Sequence, residues 1–245
     1  MEELTTHPSF WHFFIGEFTG TAMLIILGCG VVANVLLNKT KGNNSGWIVI
    51  TFGWAMAVFL GVYTSVKLGG SGHLNPAVTI AMAVFTDFDK SLLPVYLLAQ
   101  LTGAIVGATI VWIAYKQHFD ETNDANAKLA VFATGPAIRN SFYNLITEII
   151  GTFILVFGAM AMSKPSSSLG TLDALPVGLL VLGIGLSLGG PTGYAINPAR
   201  DLGPRIAHFI LPIKGKRDSD WSYSWIPVAG PVIGGLLAAF LFKQF

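Results

Sequence analysis

The chain has 245 residues, of which 53% are hydrophobic and 11% charged, with a formal net charge of +1 and a mean hydropathy of +0.64. A soluble domain carries about 25% charged residues, so the solvent for most of this chain is lipid. The near-neutral balance, without a block of like charges, leaves no footprint for nucleic acid.

The stretch 1–8 contains Glu2 and Glu3 and no basic residue, which does not fit a signal peptide, and the apolar run behind it is too long for one. That run, 10–37, is the first of six long enough to cross the hydrocarbon core, which takes about 20 apolar residues. The others are 47–66, 92–115, 142–162, 172–188 and 223–242. The single cysteine, Cys29, sits between two glycines in the first run and reads as a packing residue, with no disulfide or metal-ligand spacing around it. Two further apolar segments, 76–86 and 198–211, reach only about halfway at about 1.5 Å per residue. Half-helices at membrane depth imply a cavity between them. Surface amphipathic turns are the alternative on length alone.

Landmarks recur in the same order in both halves. Glu17-Phe-Thr-Gly20-Thr21 is echoed by Glu148-Ile-Ile-Gly151-Thr152 at a separation of 131, Asn75-Pro76-Ala77 by Asn197-Pro198-Ala199 at 122, and Gly103/Gly107 by Gly230/Gly234 at 127. Three spans per half is an odd number, so the second copy enters from the opposite face and the two short helices approach the midplane from opposite sides. The expectation is an all-α membrane protein forming a single domain over 1–245. It has six transmembrane helices plus two re-entrant half-helices, in inverted repeats 10–115 and 142–242 joined by a connecting loop 116–141. Paired glycines at four-residue spacing let helix backbones approach closely. Glu17 and Glu148 are the carboxylates inside spans. A proton relay is one reading of them. The preferred one has each accept hydrogen bonds from the backbone of the re-entrant loop in its own half.

Asparagine is a favoured N-cap and proline a favoured first helical residue, so both half-helices open with a start signal. Each side-chain oxygen can accept from its own helix, leaving NH₂ donors toward the cavity, and the positive ends of both helix dipoles point at the same place. With these features in hand, Ser71-Gly-His-Leu-Asn-Pro-Ala-Val-Thr79 and Gly193-Tyr-Ala-Ile-Asn-Pro-Ala-Arg-Asp201 resemble the two signature loops of the aquaporin and glycerol-facilitator family. The resemblance runs from Glu17 to Gly235. It implies a right-handed bundle, a homotetramer in the cell membrane with one pore per subunit, and cytoplasmic termini. Charge counting points the other way, because that orientation leaves only Lys67, Lys90, Lys164 and Lys243 inside.

The resemblance also places Arg200 at the narrow outer constriction, donating to solute oxygens and repelling cations. A salt bridge to Asp201 is the alternative role, although adjacent helical residues do not face each other. Asp201 resembles the glycerol-conducting branch, and it also suits the first turn of a helix dipole. Counting back from Asn197, Tyr194 takes the aromatic position and Gly185 the glycine position of glycerol facilitators. On the second span the match is Phe52, with Ile50 as the alternative because the spacing to Asn75 is longer than usual. His73 reads as a brace for its own loop.

These residues imply passage of glycerol, with water, dihydroxyacetone, urea or an undissociated hydroxy acid such as lactic acid as further solutes, in contact with membrane lipid and without a cofactor or metal. An ion-coupled carrier also uses inverted repeats, but it needs a coupling site beyond Glu17 and Glu148. An enzyme needs a nucleophile, paired acids or a metal triad, and His7, His12, His73, His118 and His208 are too dispersed for a triad.

Overall fold

A computed structural model describes residues 10–162 and 167–245; the stretch 1–8 and Lys164 lie outside them. Among the described residues the regular structure is helical throughout. The first half holds α1 (Phe10–Leu36), α2 (Trp47–Lys67), the half-helix α3 (Pro76–Phe85) and α4 (Leu93–Ala114). Two short helices follow, α5 (Lys116–Glu121) and α6 (Ala125–Phe132). The second half repeats the pattern with α7 (Ser141–Ala161), α8 (Leu175–Leu188), the half-helix α9 (Pro198–Ile210) and α10 (Ile226–Phe242).

Five of these helices, counting the 3₁₀ turns that lead into α4 and α8, are long and apolar enough to span. The sixth, α10, has 17 residues and sits at the lower bound of about 17 for a span. Spans α4, α8 and α10 begin at Leu93-Pro94, Leu175-Pro176 and Ile226-Pro227, where proline costs no hydrogen bond in the first turn. This is why α8 and α10 start three residues later than their apolar runs.

The expected connecting loop 116–141 is instead partly helical. Asp124 caps α6 by accepting from the N–H groups of Asn126 and Ala127. Phe119, Val131 and Phe132 are buried against the bundle. An eight-residue helix carries too little periodicity to show in a sequence.

In each half the first span packs on the last, α1 on α4 and α7 on α10. Glycine permits both approaches. A Cβ on Gly103 would lie 2.4 Å from the Phe18 carbonyl oxygen, and one on Gly234 would lie 2.3 Å from that of Ile149. The half-helices are exchanged between the halves, α3 packing mainly on α10 and α9 mainly on α4. A Cβ on Gly203 of α9 would meet Ala104 of α4 at 2.5 Å. Spans α2 and α8 face each other across the centre.

Gly234→Ala should therefore lower the thermal unfolding midpoint of the detergent-solubilised protein, with overpacking costing about 1–3 kcal/mol. Gly183→Ala, where a Cβ meets nothing within 4 Å, should leave it unchanged or raise it. Equal midpoints for the two variants would refute the close-packing role of Gly234.

Candidate functional site

The two half-helices meet end to end through their first residues. Asn75 and Asn197 have nearly the same backbone, φ −153° with ψ 115° and φ −155° with ψ 110°. The side-chain oxygen of Asn75 accepts from the N–H of Ala77 at 2.9 Å, and that of Asn197 from Ala199 at 3.0 Å and Arg200 at 3.2 Å. Their NH₂ groups do something the residue types alone did not reveal. Asn75 Nδ2 donates to the Ile196 carbonyl at 2.8 Å, and Asn197 Nδ2 donates to the Leu74 carbonyl at 2.7 Å. Each asparagine thus ties its helix to the opposite loop with one N–H and keeps the other toward the cavity. Leu74 and Ile196 adopt φ of 51° and 44°, a left-handed conformation that is rare for a leucine and rarer for a β-branched residue. Holding each there costs on the order of 1–3 kcal/mol, which the surrounding bonds offset.

Two buried carboxylates brace these loops from behind. Glu17 accepts from the backbone N–H of His73 at 3.0 Å and Leu74 at 2.8 Å, from Gln100 Nε2 at 2.8 Å and from Ser65 Oγ at 3.2 Å. Glu148 accepts from the N–H of Ala195 at 3.0 Å and Ile196 at 2.8 Å. A carboxylate offers only acceptors and the loop atoms that face it are backbone N–H donors, so the match is complementary. His73 lines the cavity, with Nδ1 3.2 Å from Thr79 Oγ1 and its ring against Phe88 and Tyr96.

A cavity of about 260 Å³ runs past this junction. One wall is apolar, built from Leu24, Val58, Val62, Leu155, Val177 and Val181; the other carries Asn75, Asn197 and Arg200. At one end Arg200, 7% exposed, lies with its guanidinium carbon 4.0 Å from the centroid of the Trp54 ring. Such a contact is a cation–π pair. Arg200 Nη1 also donates to the Phe132 carbonyl at 3.3 Å.

Trp54, not Phe52, is the second-span residue that lines the cavity against Arg200. Residues two apart on a helix point about 200° away from each other, so Phe52 faces the outside and is 53% exposed. Ile50 lies on the inward stripe with Trp54, Val58 and Val62 but one turn beyond the cavity, buried in the core. Gly185 is corrected in a different sense. It does not line the cavity, because a Cβ there would fall 2.8 Å from Tyr194 Cζ. The missing side chain makes a slot for the Tyr194 ring, which Trp47 closes edge-on at 5.9 Å while donating its indole N–H to the Gly185 carbonyl at 3.1 Å. Tyr194 itself lines the cavity.

Asp201 does not pair with Arg200. Its partner is Arg205, one turn on, at 2.7 Å, and both are buried. Sequence analysis did not single out Arg205, although the i,i+4 spacing from Asp201 inside an apolar half-helix was a usable signal.

Exchanged half-helices meeting over a cavity inside a bundle of apolar spans define a multi-pass membrane protein with the aquaporin-like fold. The model of the major intrinsic protein family matches residues 4–242. A probable glycerol uptake facilitator protein of Thermotoga maritima is 58% identical over 230 residues, 94% of this chain and 97% of the relative. Glycerol uptake facilitator protein 3 of Lactiplantibacillus plantarum is 55% identical over 229 residues, 94% and 95% of the two chains. The X-ray structure of the aquaglyceroporin from Plasmodium falciparum superposes with a TM-score of 0.80 at 33% identity, over 96% of each chain. The chain belongs to the major intrinsic protein family.

Glu148→Gln should turn one acceptor into a donor facing the N–H of Ala195 or Ile196 and cost about 1–3 kcal/mol. Asn197→Asp should leave the Leu74 carbonyl without its donor at a similar cost. Both effects would be read as a lower thermal midpoint; a wild-type midpoint for Glu148→Gln would show that the loop does not depend on its brace.

Proposed function

We propose that this protein is a passive channel for glycerol and related small uncharged solutes, with water using the same pore. It works as a homotetramer with cytoplasmic termini, one pore per subunit, and lipid against its apolar outer faces. The observation that carries the reading is the grouping of Trp54, Tyr194 and Arg200 on the wall of one cavity. Two aromatic surfaces stand beside one fixed cation donor, continuous with a cavity that is apolar on one side and hydrogen-bonding on the other. A polyol has the matching character, since its carbons can lie on the rings and valines while its hydroxyl oxygens accept from Arg200 and then from the free N–H of Asn75 and Asn197. The converging helix N-termini and Arg200 oppose cations and protons there. No bond is made or broken in this cycle. The names of the relatives, glycerol uptake facilitator and aquaglyceroporin, support the same reading.

Proteoliposomes under an outward osmotic gradient of glycerol should swell back at a rate linear in the gradient at low concentration and indifferent to sodium or proton gradients. Uphill accumulation driven by either ion would establish a carrier instead. Asn75→Asp and Asn197→Asp protein that folds should lose glycerol flux and proton exclusion together. Gly185→His should expel the Tyr194 ring from its slot into the lumen, cutting glycerol flux far more than water flux. An unchanged ratio of the two in folded protein would remove the slot from the selectivity mechanism.

A further inference from the structure

Arg205 is a second arginine on the half-helix that carries Arg200, and it touches no part of the cavity. It is fully buried, and all five of its N–H donors are engaged. Nε donates to Asp201 Oδ1 at 2.7 Å and Nη2 to Asp201 Oδ2 at 3.0 Å, a bidentate pair. Nη2 also donates to the Thr134 carbonyl at 2.9 Å, and Nη1 to the carbonyls of Ser219 at 2.7 Å and Asp220 at 3.1 Å. Asp201 Oδ2 in turn accepts from the Thr134 N–H at 2.7 Å and its hydroxyl at 2.6 Å. Thr134 is therefore gripped at three atoms by the Asp201–Arg205 pair.

Two residues before Thr134 is Phe132, the last residue of α6. Its carbonyl is one of those a helix end leaves without an internal partner, and it carries the negative end of the helix dipole. Arg200 Nη1 donates to it. The Phe132 ring is seated between Phe119 at 5.6 Å and His208 at 5.5 Å, so the carbonyl has little freedom once Thr134 is fixed.

We infer that Arg205 is a positioning residue for solute selection: with Asp201 and Thr134 it fixes the Phe132 carbonyl, and that carbonyl sets where the Arg200 guanidinium stands against Trp54. The connecting segment thereby becomes part of the pore's size cut-off. This rests on the channel reading above. A guanidinium is required because its planar fork reaches Asp201, Thr134 and the 219–220 backbone at once; an ammonium at the same place reaches one or two of them.

The test compares wild type, Arg205→Lys, Thr134→Val and Thr134→Ser in proteoliposomes, each checked for oligomeric state, and reads the flux of a four-carbon linear polyol relative to glycerol. Arg205→Lys is expected to raise that ratio by about tenfold, the scale on which one well-fitted contact discriminates. Thr134→Val removes one donor to Asp201 and should raise it by about threefold, while Thr134→Ser keeps the hydroxyl and the wild-type ratio. A residue that only stabilises the fold would lower yield and all fluxes together, leaving the ratio alone. Wild-type ratios in folded Arg205→Lys and Thr134→Val overturn the positioning role while the channel reading stands. If Arg205→Lys fails to assemble, the Thr134→Val and Thr134→Ser pair decides by the same ratio. Wild-type vesicles no faster for glycerol than lipid alone overturn the channel reading and the inference with it.

Discussion

Two amide hydrogen bonds hold the centre of this molecule, Asn75 Nδ2 to the Ile196 carbonyl and Asn197 Nδ2 to the Leu74 carbonyl. Through them two helix ends that would otherwise fall short of each other in lipid are joined into one span-length unit. Everything nearby serves that junction. The left-handed turns at Leu74 and Ile196 aim the carbonyls, and Glu17 and Glu148 take up the N–H groups that those turns leave exposed. The exchange of α3 onto α10 and α9 onto α4 then anchors each half-helix to the opposite half. On the side that faces packed protein and lipid, a backbone donor or acceptor left over here would cost several kcal/mol. Pairing the N–H groups of residues 73–74 and 195–196, and the carbonyls of Leu74 and Ile196, thus helps this irregular backbone persist at that depth.

The two halves solve the same problem with different spare parts. Glu17 has Ser65 and Gln100 as additional donors, whereas the second half has charged groups on the half-helix itself. Five residues apart on α9, Arg200 and Arg205 divide the work. Arg205 spends every donor on protein and locks the local backbone. Arg200 makes one side-chain hydrogen bond to protein, to Phe132, and lies over Trp54, which leaves donors for a passing solute. Burying two arginines on one half-helix is tolerable because Asp201 neutralises Arg205 and Trp54 covers Arg200.

Much of this was legible in the sequence. Hydropathy placed all six spans within a few residues of their observed ends, since lipid imposes a length and an apolar composition that any spanning helix must show, while the two short segments read as half-helices only once the repeat and the Asn-Pro starts were added. The repeated Glu, Asn-Pro-Ala and glycine landmarks located the junction, and residue chemistry assigned acceptors to carboxylates and caps to asparagines. Arg200 and Tyr194, reached by counting from Asn197 along the resemblance, both line the cavity, because a short loop leaves little room for register error.

What only the tertiary structure decided is which way each helix faces. In α2 every face is apolar, so no periodic contrast distinguishes the inward stripe of Trp54, Val58 and Val62 from the outward one that carries Phe52. Choosing between them by alignment across a gap shifted the position by two residues, which on a helix is the opposite side. The partners of the asparagine NH₂ groups, the Tyr194 ring filling the space beside Gly185, and the reach of Phe132 and Thr134 into the site share one cause. Each joins residues far apart in the chain through a contact that exists only once the two halves have closed on each other.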